Sequence, residues 1–281
     1  MSENPERHHH YHATATAISG HLKLPVESEI SRQAHAELPQ KGGHISQRMK
    51  EFTLEGIVSF RSAATRVSGN KSTKDGQGWT TIATTVVECL NVMEIVTADR
   101  VVTQIITEHP LDGYVPSVSF LGTRFENLRI AGHQVEMEID HNLLGEKPAG
   151  DGAYTKEPGV IERIGSQYRR VLESKRLPDD LRERYNRFSS TLGKSEAFEC
   201  SLVHRANGAY PGLSFGHIVH VPDFGKIVLG KLKVTHEKHD TPNKAPRITH
   251  IHLTMVDLEL GCAAAGNVGI TSGSTNGGTN P

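Results

Sequence analysis

The chain has 281 residues, enough for one large β domain or two modest ones with a real core. Charged residues make up 22% and the formal net charge is −1, so it lacks the one-signed field of a nucleic-acid or anionic-membrane binder. Aromatics are sparse at 5%, with Trp79 the single tryptophan, whereas threonine, valine, isoleucine and glycine are plentiful, which favours extended structure with tight turns.

Histidine is the outlier, with 17 residues. An unperturbed imidazole titrates near ~6.5, so mild acid would add many charges at once. The plain reading places these rings on solvent faces; the sharper one is metal binding or pH-sensitive assembly. No apolar run approaches the ~20 residues of a membrane span. The opening "MSENPERHHHYH" has no hydrophobic segment after its charges, so no Sec leader is legible and cytoplasmic residence is the default expectation, with other export routes left open. Cys89, Cys200 and Cys262 are too few and too scattered for a disulfide framework or a zinc knuckle, and read as buried small hydrophobes.

Residues 1–12 read as a flexible polar arm whose "HHHYH" resembles an affinity tag. The β-rich segment 13–145 opens on "HATATAISGHLKL", where Ala13, Ala15 and Ala17 share one strand face and Thr14 and Thr16 the other. A face of such small residues suits close sheet packing or close approach of a neighbouring chain. "FTLEGIVSFRSAATRVSG" and "GWTTIATTVVECLNVMEIVTADRVVTQIITEHP" continue as β-branched strands, with Gly69-Asn70 and Gly76-Gln77-Gly78 as turn signals between them. In "FENLRIAGHQVEMEID", Val135, Met137 and Ile139 alternate with Glu136, Glu138 and Asp140, a strand with one wet face, and "AGH" at 131–133 predicts a hairpin turn.

From 146 to 195 the period changes. Val160, Ile161, Ile164, Tyr168, Val171 and Leu172 fall on one helical stripe after Pro158. Leu181, Tyr185, Phe188 and Leu192 form a second stripe after Pro178, with Gly193 placed to cap it. This helical pair interrupts a β fold that residues 196–261 complete within the same domain. "EKHDTPNKAP" is a polar loop, and the tail 262–281 is rich in Gly, Ser, Thr and Asn, with little to bury by itself. The expected fold class is therefore mainly β, an antiparallel sandwich or barrel-like body with an inserted helical pair, α+β overall.

The chemistry-bearing candidates are histidines. His250 and His252 in "RITHIHLTMVDLEL" share a strand face opposite Ile251, Leu253 and Met255. They fit the polar side of a half-buried strand; as ligands for zinc or another divalent transition metal they would need His217 or His220 from "GHIVH", or His236 or His239. His217 and His220, three apart, could share an ion only around a turn. Glu108-His109 and Asp140-His141 are sequence neighbours whose side chains point apart on a strand, so neither is a dyad. No nucleophile elbow, HExxH helix, phosphate-binding lysine loop or dinucleotide glycine motif is present. Cys89 in "VVECLNV" reads as buried strand. "HVPDFGKIVLGKL" reads as a structural corner with Phe224 tucked inward, the alternative being an exposed rim.

These features predict a non-catalytic structural or interaction protein that self-associates through strands and terminal arms, with no catalytic residue and no cofactor. The expected partner is a second copy of the chain; no nucleic acid is expected, and no small-molecule ligand is legible. The alternative is a metal-dependent enzyme or metal-binding β protein using His250, His252, His217 and His220. A β-type binding module for a small ligand or glycan is a third class, weakened by the single tryptophan.

Overall fold

Alternating β-branched and small residues make long antiparallel strands here, and they stack as two sheets in a sandwich-like α+β body. The structure, a computed structural model, describes residues 8–23, 27–73, 77–150, 152–238, 246–261 and 265–280. Gly76, most of the polar loop including His239, Cys262 and residues 1–7 lie outside them.

The first sheet runs in the order Leu213–Phe215, Ile218–Val221, Gly225–Lys238, Pro246–Leu260, Gly266–Thr275, Ala13–Leu22, Ser28–Gln33. The second is a meander in which Gly43–Leu54, Val58–Lys71, Gln77–Val92 and Val96–Pro110 pair in succession. Beyond them Arg129–Ile130 and His133–Gln134 close the expected hairpin, with Ala131 at φ 47 and Gly132 at φ 80 as its two-residue turn. The alternation in "VEMEID" is kept, but Glu136–Ile139 leaves that hairpin to pair with Val203–Asn207 in a separate two-stranded sheet.

The sandwich has a bulky half and a fine-grained half. Most of the large aliphatic and aromatic side chains form one core. The second cluster is built around Ala13, Ala15, Ala36, Ala83 and Val67, closed by Tyr11, Leu38 and Trp79. Here the sheets come close: a Cβ added to Gly273 would sit 3.6 Å from Thr103 and Ile105 and 3.7 Å from Ala83. Buried threonines join the layers, Thr85 donating to the Ser272 carbonyl at 3.0 Å and Thr103 to that of Thr271 at 2.5 Å. The small face of Ala13, Ala15 and Ala17 thus serves close packing within one chain.

The expectation of a weakly buried tail is corrected over Gly266–Thr275, a strand inside the first sheet between Pro246–Leu260 and Ala13–Leu22. Its glycines and threonines are what the close approach requires, and its backbone hydrogen bonds replace the apolar area it lacks. The described part of the amino-terminal arm is also ordered: His8–His10 pairs with Gly278–Asn280. Its tag-like appearance is misleading, because Tyr11 is buried and His9 packs against Trp79.

The helices Pro158–Leu172 and Asp179–Thr191 bury Val160, Ile164, Tyr168, Val171, Leu181 and Tyr185, as the stripes predict. Gln167 clamps Ser201 through two backbone hydrogen bonds of 2.8 Å, fixing the first helix to the sandwich. At the Pro222–Gly225 corner Asp223 has φ 61 and Gly225 φ 127, and Phe224 is buried, so it is a structural turn. Cys89 departs from its reading as a buried strand residue: it is left unpaired between Glu88↔Arg100 and Leu90↔Ala98, at φ 52, and is exposed. The left-handed backbone there interrupts the alternation and turns the side chain out between Glu88 and the buried Leu90.

Candidate functional site

The histidines sort by position in the sheets. His250 and His252 lie on the outer face of the Pro246–Leu260 strand, while Ile251, Leu253 and Met255 are fully buried on the other. His250 Nε2 is 2.8 Å from Glu237 Oε1, and His252 contacts the Thr254 hydroxyl at 3.2 Å. Around His252 this face is a shallow polar depression that includes Lys233, Ser272 and Ser274.

His217 and His220 are placed elsewhere. His217 occupies the turn before the Ile218–Val221 strand, 2% exposed, and shares a 2.8 Å hydrogen bond with Tyr185 of the second helix. Burial pushes its pKa down to about 3, so the ring is neutral and serves as a polar bolt between helix and sheet. His220 pairs across to Lys226, whereas His252 pairs across to Lys233 on the same strand, which puts the two histidines roughly 23 Å apart. Ligands of one ion sit about 2 Å from it, so these histidines do not share a centre. Among the described residues no group of three His, Cys, Asp or Glu is placed to hold a metal ion.

Three further imidazoles face inward. His236 is 2% exposed and bonds Thr249 at 3.0 Å; burial lowers its pKa to about 4, against the pull of Glu196. His109 is 1% exposed, its ring centroid 4.6 Å from that of His9, and burial followed by the His9 ring lowers it to about 3. His9 stacks on Trp79 at 5.0 Å and meets Tyr11 edge-on at 4.6 Å; burial and then His10 lower it to about 4. Adjacency in sequence, as in Glu108-His109, says nothing of this packing.

The feature that sequence reading passed over is an edge. Gly43–Leu54 is a 12-residue strand at the end of the second sheet, paired with Val58–Lys71 on one side. Among the described residues no strand pairs on its other side. At about 3.4 Å per residue it presents some 40 Å of unpaired backbone donors and acceptors. Ile45 and Met49 turn half inward, while His44, Ser46, Gln47, Arg48 and Lys50 are exposed. At Glu51 the backbone turns left-handed, with φ 36, and that residue drops out of the ladder while the register stays the same on either side of it. A signal was there to find in "GHISQRMKEFTL": isolated apolar residues four apart amid polar ones, which is what a strand wetted on three sides should show.

No helix among the described residues is long and apolar enough to cross a membrane. No match was found among curated proteins or among solved structures. Residues 9–235 match a family described as a domain of unknown function, DUF8256, and that span takes in the whole second sheet, the helical pair and the strands around His217 and His220. Since it covers well over half of the sequence, the chain belongs to the DUF8256 family.

Proposed function

We propose that the protein is a non-catalytic interaction protein that associates through the edges of its β-sheets. The observation that carries this reading is the open Gly43–Leu54 edge, a ready template for strand addition. The exposed Arg48 and Lys50 and the left-handed backbone at Glu51 are devices by which a sheet restricts what adds to it, so the edge is selective rather than sticky. Association through the terminal arms is not needed: in their described parts the arms pair with each other inside one chain. The histidines support the same reading, since the buried rings bolt elements together and His250 and His252 take the wet face of a strand.

Sedimentation velocity of the full-length protein at rising concentration tests the proposal. A species larger than the 30.8 kDa monomer is expected to grow with concentration. A strict monomer throughout, at low salt, refutes it.

A further inference from the structure

The Gly43–Leu54 edge is cationic on balance, with Arg48 and Lys50 against Glu51. Arg48 and Lys50 point away from the core and neither is engaged in an ion pair among the described residues. Arg66, on the neighbouring strand opposite Ser46, is exposed on the same face. Pairing this edge with its own copy would gather both sets of cations on one face, which like-charge repulsion across strands disfavours. Its partner is therefore an acidic strand with inward-facing apolar residues.

The chain carries one. Glu136–Ile139 pairs with Val203–Asn207 on one edge, and among the described residues no strand pairs on the other. Glu136 and Glu138 are exposed and form no ion pair among the described residues, while Met137 and Ile139 turn half inward against the core. Spatial order within one chain does not join the two edges: the first ends the second sheet, and the other belongs to the separate two-stranded sheet.

Resting on the reading of the protein as an edge-associating module, we infer that the Gly43–Leu54 edge of one copy receives the Glu136–Ile139 edge of a second copy, antiparallel. One register satisfies face and charge together. It sets Met137 opposite Met49 on the inward face, Glu136 opposite Lys50 and Glu138 opposite Arg48 on the outward face, and Ile139 opposite Gln47. A one-residue slip in either direction turns the methionines to opposite faces and removes both ion pairs. Because the two surfaces differ, the contact is head-to-tail, and repeated use gives a ring or an open filament. Four residues of added strand make a small contact, so the association is weak, and being charge-selected it weakens with salt.

Charge reversal tests the pairing on the full-length protein by sedimentation velocity and light scattering at low salt. All four side chains are exposed, and circular dichroism confirms that each variant folds. The Arg48→Glu/Lys50→Glu variant and the Glu136→Lys/Glu138→Lys variant should each, alone, associate at least about tenfold more weakly than the parent, since two cross-strand attractions become repulsions. Mixed one to one, they should recover association, because the acidic edge of one now meets the basic strand of the other in both directions. A chain carrying all four changes should recover it as well. If the parent associates but neither variant is weakened, or the mixture behaves as the separate variants do, this pairing is overturned while edge association stands. A strictly monomeric parent overturns both.

Discussion

Acidification should unfold this protein well above the pH at which carboxylates titrate, and the size of the effect follows from three buried rings. His109, His217 and His236 are almost wholly excluded from solvent, and burial holds their pKa values at about 3, 3 and 4. In the unfolded chain each takes up a proton near ~6.5. Between these limits the unfolded state binds more protons than the folded one, so stability rises with pH and falls as the solution is acidified through 6.5. Going from pH 7.5 to 5.0 costs about 2 kcal/mol per ring, or about 6 kcal/mol for the three. That is comparable to the whole stability of an ordinary domain, about 5–15 kcal/mol. Urea unfolding at a series of pH values, followed by circular dichroism and by the emission of Trp79, measures the slope. Near pH 5.5 it should approach three protons. A stability that is flat from pH 7.5 to 5.0 would show that the three rings are hydrated or charged in the folded state, and the burial argument would fail.

Replacing Tyr185 by Phe removes the bonding partner of His217 Nε2 inside the core and should cost about 1–3 kcal/mol in urea unfolding; a neutral result would mean that the bolt between helix and sheet is not formed. Gly225→Ala should be worse, because its backbone is at φ 127 and a Cβ would lie 2.2 Å from the Glu259 carbonyl oxygen, so a loss of at least about 3 kcal/mol or failure to fold is expected, and wild-type melting would contradict the corner geometry. Gln167→Ala should loosen the first helix from Ser201 and raise hydrogen exchange in Pro158–Leu172 before exchange rises in the sheets; uniform exchange would contradict it. For the metal alternative, elemental analysis of the full-length protein purified without an immobilised-metal step should give substoichiometric zinc, iron and manganese, whereas one equivalent per chain would reinstate a histidine centre.

Features that depend on local periodicity were legible in the residues alone. Alternation fixed the inward faces of Ala13–Ala17 and of Ile251–Met255, the four-three spacing fixed the buried stripes of both helices, and Ala131-Gly132 fixed a hairpin turn. Those choices are made within a few residues, where the backbone allows only a short menu. Which face meets which was settled only by packing across the whole chain. "GNVGITSGST" reads as a loose tail because it has little apolar area of its own, yet it becomes an inner strand because neighbours on both sides supply backbone hydrogen bonds and only small residues fit between the sheets. His217 and His220 are three apart in sequence but belong to different environments, since a turn drives one under a helix and leaves the other on a strand. The open edge is likewise a property of sheet order: the sparse apolar residues of "GHISQRMKEF" mark a wet strand, but which of its sides stays unpaired is decided by the strands that assemble around it. Pairing between distant segments is set by packing free energy summed over the whole molecule, and a short window of residues carries only its own share of that sum.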